Sequence, residues 1–575
     1  MERKKEFALD SRVVGVLPIV NHFLKRLKVV DLLDRYLPPP NPRSKMAPRH
    51  ALGVLLRNII VSRMPLYSVP AWAQGVVPEL LDVKRDQIEL LNDDRIGTAL
   101  DRLFDADRSA LLTDFVVHMV REFEVELERF HNDSTSITLH GEYAKADGRP
   151  VRGKPTLVII LGHNKDHRPD LKQLLWILTV SEDGAVPVHF KVADGNTEDS
   201  TTHIETWEVL RRLVGKADFL YVADSKLCSR ENLHYIVVRG GHFITVMPAT
   251  RKEDAAFKEW LQAHTPDWEE VARFPDPRCK DGPPDIVHAT ESPIPDADGF
   301  RLIWYHSTHK RERDAQSRQA AIDGAVKELQ VLQAKLEGPR CRYTAAHGVA
   351  EAADQILSEA GARRWIRYRV EEWQQKTYRQ EKRGRPGDKT RWRQRIKLRF
   401  RLTWETVVEN LEADMRVDGV FPLLTDLREA VMSKLAVLEI YKKKQPFIEK
   451  RHDLLKNTLE ATPAFLKSAS RLEAFLFLTY IAITVHALIE RQLRLAMADQ
   501  QIDDLPLYSE ARPCKAPTMA RVLDLFDSLQ RHVLFRGKQV VQVFDPKLEP
   551  THEEVLRLLG QSSTGYQASW KSCIS

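Results

Sequence analysis

Residues 217–224 read ADFLYVAD. Five apolar or aromatic residues run from Phe219 to Ala223, bounded by Gly215 upstream and by Asp224-Ser225 downstream. The run is too short for a core helix and spells a buried strand that stops on a carboxylate. The segments around it complete a pattern. Upstream come three β-type runs, STSITLHG (134–141), LKQLLWILTVS (171–181) and AVPVHFKVADGN (185–196). A helix over about Ser200–Val214 follows them, with Asp199, Ser200, Thr201 and Thr202 as candidate caps. Downstream stand a short polar helix, SRENLHYIVV (229–238), and a strand, HFITVMPA (242–249). Three strands, helix, strand, helix, strand is a mixed α/β order. It sets Asp133 at the start of the first strand and Asp224 at the end of the fourth.

The flanks are helical. LPIVNHFLKRLKVVDLLDRYL (17–37), ALGVLLRNIIVSR (51–63) and the long stretch from Asp94 to Phe130 space apolar residues at three and four. The PPPNPR segment (38–43) separates the first helix from the second. Beyond Asp418 the pattern predicts helices over about 426–441, 446–459 and 468–497, and a last amphipathic helix over 517–535. The longest apolar stretch, Ala474–Ile489, carries Thr479, Thr484 and His486. It falls short of the roughly 20 residues a membrane span needs and reads as a buried core helix, so no membrane is expected. Five scattered cysteines without a CxxC pair argue against a zinc site or a disulfide framework and for a reducing, intracellular compartment.

A net charge of +6 over 575 residues says little by itself. Its distribution says more. Between Arg363 and Arg401 stand 16 Lys or Arg against four acids, a local excess of +12, with Trp365, Trp373 and Trp392 among them. Arginines can neutralise phosphates while tryptophans stack on bases, so this segment, with Arg391, Trp392, Arg393 and Arg395, is a candidate nucleic-acid contact. Its bland counterpart is a solvated charged face. The polar cluster His163, Lys165, Asp166, His167, Arg168 and Asp170 reads equally as a site rim, with His167 and Arg168 approaching DNA, or as a solvated loop.

Each acid taken alone has an ordinary explanation. Asp133 lies in turn chemistry, Asn132-Asp133-Ser134. Asp224 could cap a helix. Glu449, three residues after Pro446, gains from the helix dipole wherever it points. Phosphodiester cleavage with two metal ions, in contrast, needs several carboxylates at one point, since Mg²⁺ prefers oxygen ligands. Three acids so gathered without a cation should raise at least one acid's pKa through like-charge repulsion.

FHNDSTSITLHGEY, GHNKDHRPDLKQ, FKVADGNTEDSTT, FLYVADSKLCSREN and FIEKRHDLLKN, in this order, resemble the bacterial insertion-sequence transposases that carry a Tyr-Arg-Glu-Lys signature near their third acid. The resemblance runs from the helical N-terminal region to PLYSEARPCKAPT (506–518). It implies an α/β fold with an RNase H-like mixed sheet core interrupted by a large insertion, preceded by a helical N-terminal domain. It implies two Mg²⁺ ions, which Mn²⁺ can replace, held by Asp133, Asp224 and Glu449 as the catalytic DDE set. It implies cleavage at the element's terminal inverted repeats, strand transfer into target DNA, a homodimer in the synaptic complex and a bacterial cytoplasmic, nucleoid-associated location. The corresponding division is a helical, end-binding domain at 1–128, the core at 129–250 and 418–500, the basic insertion at 251–417 and a helical tail at 501–575. Lys456 matches the signature lysine, two turns beyond Glu449 and on its face. The signature's Tyr and Arg fall on Lys442 and Gln445, while Tyr441 and Lys444 each stand one residue too early. An inactive DNA-binding relative and a nuclease without strand transfer are the alternatives.

Overall fold

A single left-handed residue divides the helical start of the chain from its sheet. The computed structural model describes residues 7–40, 44–62, 64–165, 168–276, 282–460, 466–508, 510–537 and 539–567, without the side chains of 444 and 457–460. After a short strand β1 (Phe7–Val13), the main N-terminal helices are Leu17–Arg26, Val29–Tyr36, Pro48–Val61, Asp93–Asp105 and Arg108–Phe123. Asn92 and Asp107 cap the last two, accepting from the amides of Arg95 and Ala110. Glu124, at φ +51°, stops the last of them. The helix therefore ends seven residues before the Phe130 that the apolar spacing suggests, and β2 (Arg129–Leu139) begins earlier than expected. Asp133 consequently sits inside a strand, opposite Leu178, instead of at a strand start.

The chain forms two units, Met1–Thr245 with Leu438–Ser575, and Val246–Val437. In the first, β3 (Lys172–Ser181), β4 (Pro187–Ala193), β5 (Leu220–Ala223) and β6 (His242–Val246) join β2 in the order β4-β3-β2-β5-β6. β3 is antiparallel to both neighbours, whereas β2, β5 and β6 run parallel. The crossover from β4 to β5 passes through the helix His203–Val214, which Gly215 ends at φ +79°. From Leu174 to Ser181, β3 is buried at every position, as a strand covered on both faces must be.

The second unit has an antiparallel sheet of β7 (Glu269–Phe274), β8 (Asp285–Glu291), β9 (Arg301–Ser307) and, later in the chain, β12 (Val420–Thr425), in the order β12-β9-β8-β7. Ser307 caps a 30-residue helix, Thr308–Glu337, by accepting from the Lys310 amide. That helix and Ala346–Glu359 pack with Ile366, Phe400 and Leu402 in a small core. The arginine-rich segment is a two-stranded antiparallel ribbon, β10 (Ile366–Gln380) with β11 (Trp392–Thr406). A buried bidentate pair of Arg318 with Asp418, at 2.7 and 2.6 Å, ties the chain just before β12 to the long helix.

Residues 426–433, at the end of the second unit, are not helical. Lys434–Glu439 is α-helical, Ile440–Lys444 forms a π-turn, and Gln445–Glu460 continues as an α-helix. The helix Ala469–Asp499 is apolar and long enough to cross a membrane, but 94% of its most apolar window is buried in the protein. It packs against Pro48–Val61, Asp93–Asp105 and β4. Phe190 of β4 stacks between Trp176 at 5.0 Å and Tyr480 at 4.4 Å. The helix's polar residues are satisfied: Thr479 and Thr484 donate to the carbonyls of Phe475 and Tyr480, and a ring nitrogen of His486 meets the Ile60 carbonyl at 3.0 Å. The expected last helix is shorter, Met519–Phe526. β13 (Gln530–Arg536) follows and pairs with β1 on one side and β14 (Gln539–Phe544) on the other.

Candidate active site

Parallel strands carry the first two acids to one level. The β2–β5 ladder closes at His131 opposite Val222, and two residues further along each strand stand Asp133 and Asp224. Neighbouring strands lie about 4.8 Å apart, so both carboxylates belong to one patch at the carboxyl end of β5. Asp224 leaves the ladder in a turn: its Oδ1 accepts from the Lys226 amide at 2.9 Å, and its carbonyl accepts from the Thr245 hydroxyl at 2.6 Å. Asp133 is held by the Ser134 amide, which donates to its Oδ1 at 2.8 Å.

The carboxyl of Asp133 is displaced from its ordinary range. Its side chain is one-fifth exposed and its pKa is pushed up to about 7. Burial is the largest cause. Lys165 opposes it, and the charges of Asp224 and Glu449 add to it. Like-charge coupling is thus present as expected, but burial outweighs it. Glu449 is exposed on the helix Gln445–Glu460 and is sensed by both Asp133 and Tyr441. The three acids share one electrostatic neighbourhood. Among the described residues no three His, Cys, Asp or Glu side chains converge closely enough to hold a metal ion, so the expected convergence into a ligand set is not met. Mutual repulsion and the burial cost of Asp133 both oppose such convergence until a cation compensates. The donor chemistry, all carboxylate oxygen, fits a hard divalent cation and not a soft one.

The one-residue offset of Tyr441 has a structural cause. A π-turn takes one residue more than an α-turn, and the π-turn at Ile440–Lys444 contains Tyr441 and widens the helix ahead of Glu449. Pro446 has no N–H to offer and its ring crowds the carbonyl four residues back, which favours widening at this point. The extra residue is absorbed, and Tyr441 keeps the face that Glu449 presents. Its hydroxyl pKa is raised by burial first and then by Asp224, Asp133 and Glu449 in turn. Lys456 is half-buried, and its charge acts on His452, one turn back on the same helix. The Lys444 side chain and His167 lie outside the described residues. Arg168 is exposed and clamped in a bidentate pair by Asp170, at 2.9 and 2.8 Å, which leaves it less available to DNA than its place in the sequence suggests.

Asp199 and His452 at this patch escaped the sequence reading of the site, and Lys165 was read there only as part of a rim loop. Lys165 is a cation whose charge bears on Asp133: Nζ lies 2.9 Å from Asp199 Oδ2 and donates to the Ser134 carbonyl at 2.7 Å and to Ser134 Oγ at 2.8 Å. Ser134 Oγ in turn donates to Asp199 Oδ2 at 2.8 Å. His452 is buried with Nδ1 3.6 Å from Asp133 Oδ2, and burial with Lys165 and Lys456 pulls its pKa down to about 3, so it faces Asp133 as a neutral ring. Its signal was the i, i+3 spacing from Glu449, one helical face. Asp199 gave none, because an acid in a cap looks ordinary.

Arg391, Trp392, Arg393 and Arg395 belong to the other unit, at the exposed outer part of the ribbon. They do not share one face of the ribbon. Successive strand residues point to opposite faces, so Trp392 projects away from Arg393 and Arg395.

Residues 9–117 match the domain of unknown function DUF4277. No curated protein matches the chain. Among solved structures, a piggyBac transposase synaptic complex with hairpin DNA aligns over 89% of this chain and 78% of its own, at 7% identity and a TM-score of 0.35. A Mos1 transposase paired-end complex with its left transposon end aligns over 38% and 63%, at 10% identity and a TM-score of 0.14. Scores this low carry no weight for fold or function.

Proposed function

We propose that this chain is a DNA transposase of the DDE type, cutting the ends of its own mobile element and joining them to target DNA. One observation carries the reading: Asp133 and Asp224 stand level on adjacent parallel strands, and Glu449 reaches the same neighbourhood from a helix. The strand order β4-β3-β2-β5-β6 with only β3 reversed supports an RNase H-like core. Asp133, Asp224 and Glu449 would hold a pair of Mg²⁺ ions, or Mn²⁺ in their place. Such ions, when bound, supply an activated water and charge relief at the leaving oxygen. The protein's own groups have separate tasks. Lys165 keeps a positive charge beside the acids, His452 walls Asp133 from water without adding charge, and Tyr441 with Lys456 offers a hydroxyl and a cation to a phosphate. The implied partners are the element's terminal repeats and target DNA, with two copies acting together at a pair of ends in the bacterial nucleoid.

The test is nicking of a labelled element end in the presence of Mg²⁺, wild type against Asp224→Asn. The substitution keeps shape and removes the charge. Loss of nicking with end binding retained supports the reading. Equal nicking by both proteins overturns Asp224, and a wild type that binds ends without cutting them supports an inactive DNA-binding relative.

A further inference from the structure

In its outer part, from Lys376 to Lys397, the ribbon sets four strand cations on one face and its aromatic residues on the other, where Lys376 is the one strand cation; Trp373, nearer the root, stands on the cation face opposite Arg399. Register pairs Arg379 with Arg393, Thr377 with Arg395, and Gln375 with Lys397, so Arg379, Arg393, Arg395 and Lys397 share one face. The opposite face pairs Gln380 with Trp392, Tyr378 with Gln394, and Lys376 with Ile396. On that face Tyr378, Trp392 and Ile396 are 61%, 52% and 57% exposed. Only the root of the ribbon, at Ile366, Phe400 and Leu402, is packed into a core. From Lys376 to Lys397 the chain carries ten Lys or Arg against Glu381 and Asp388, a net +8, and every cation among them is exposed.

We infer that the outer half of this ribbon is an arm that lies along a groove of duplex DNA by its arginine face. The inference rests on the proposed function for DNA as partner and adds the surface and the form of DNA it takes. Two adjacent strands with their side chains fit a major groove about 12 Å wide, and fifteen residues extend about 50 Å at roughly 3.4 Å each. Four exposed cations on one face, with no acid paired to them there, match the phosphates that flank a groove. Single-stranded DNA asks for something else. A base stacked on an aromatic ring needs its phosphate near a cation on the same side; in the outer ribbon Trp392 and Tyr378 point away from the arginine face, and that face carries one exposed ring, Trp373, towards the root.

The experiment uses the full chain with Asp224→Asn, so that binding is read without cutting. Its probes are a duplex of random sequence and one of its single strands, across a salt series. The basic-face variant is Arg379→Gln, Arg393→Gln, Arg395→Gln, Lys397→Gln. It should bind duplex more than about tenfold more weakly, with the log–log salt slope shallower by about 3 to 4, near 0.9 per lost phosphate contact. The opposite-face variant, Tyr378→Ser, Trp392→Ser, Ile396→Thr, should bind duplex within about twofold of the parent, since it removes no phosphate contact. An unchanged slope in the basic-face variant overturns the inference. So does a parent that prefers the single strand and loses that preference in the opposite-face variant. Circular dichroism melts on both variants verify that the fold is intact. Nicking by the protein with native Asp224 is scored separately: an arm that binds duplex on a protein that never cuts leaves this inference standing and removes the transposase reading.

Discussion

At the scale of single residues, burial sets the chemistry more than pairing does. His203 is buried with Nδ1 3.1 Å from the Tyr221 hydroxyl, and its pKa is pulled down to about 4, chiefly by burial. The unfolded chain takes up a proton near pH 6.5 that the folded site refuses. Stability contributed by the neutral ring is therefore complete above pH 6.5 and lost as pH falls from 6.5 towards 4, at about 1.4 kcal/mol per unit and about 3 kcal/mol in all. Urea melts of wild type and His203→Asn across that window should show the variant with the flatter acid branch. The Lys165–Asp199 pair makes a second claim. Both side chains are mostly buried, at 26% and 12% exposure, and each leaves the other uncompensated when removed. A double-mutant cycle of Lys165→Ala and Asp199→Ala should give a coupling energy of about 1 to 3 kcal/mol. A value near zero would make the contact a surface pair of no consequence.

At the scale of elements, the π-turn is the feature most open to test. If it exists to absorb one residue, deleting Lys442 together with Pro446→Ala lets the helix run as a plain α-helix with Tyr441 and Glu449 still in phase. That variant should nick element ends within about tenfold of wild type, whereas an alanine inserted after Lys443 rotates the two by about 100° and should abolish nicking, since 3.6 residues make a turn. Equal loss in both variants would show that phase is not what the turn preserves. The same element marks where sequence reading stops. A one-residue offset between Tyr441 and Glu449 was legible; the backbone form that cancels it was not, because no residue type spells a π-turn. The strand ending on Asp224 and the apolar core helix were legible because each is a continuous run in one environment. β11 was missed for another reason. Residues 392–402, WRQRIKLRFRL, alternate strictly with period two, a strand signal hidden behind the weight of positive charge. The overrun of the N-terminal helix to Phe130 came from apolar spacing that continues past Glu124, whose left-handed backbone leaves no trace in composition.

At the scale of the whole molecule, the first unit is built from two stretches of chain with 192 residues between Thr245 and Leu438. Tyr480 shows how closely they depend on each other. It stacks on Phe190 at 4.4 Å and meets Phe115 edge-on at 6.2 Å, and its hydroxyl donates to the Pro187 carbonyl. Tyr480→Ala should cost about 3 to 5 kcal/mol, and Tyr480→Phe only about 1 kcal/mol for the hydrogen bond. Equilibrium unfolding of the two variants separates packing from bonding, and equal small losses would mean that the stretches fold independently. This division also imposes a timetable. Asp133 and Asp224 leave the ribosome first, and Glu449 follows Asp224 by 225 residues, about 10 to 45 s at ordinary rates of synthesis. For that interval the nascent polypeptide owns two acids and no third. On the proposed reading, a product that stops before Glu449 lacks the third acid and should not cut, so the order of the chain holds back the breaking of DNA until Glu449 has been made.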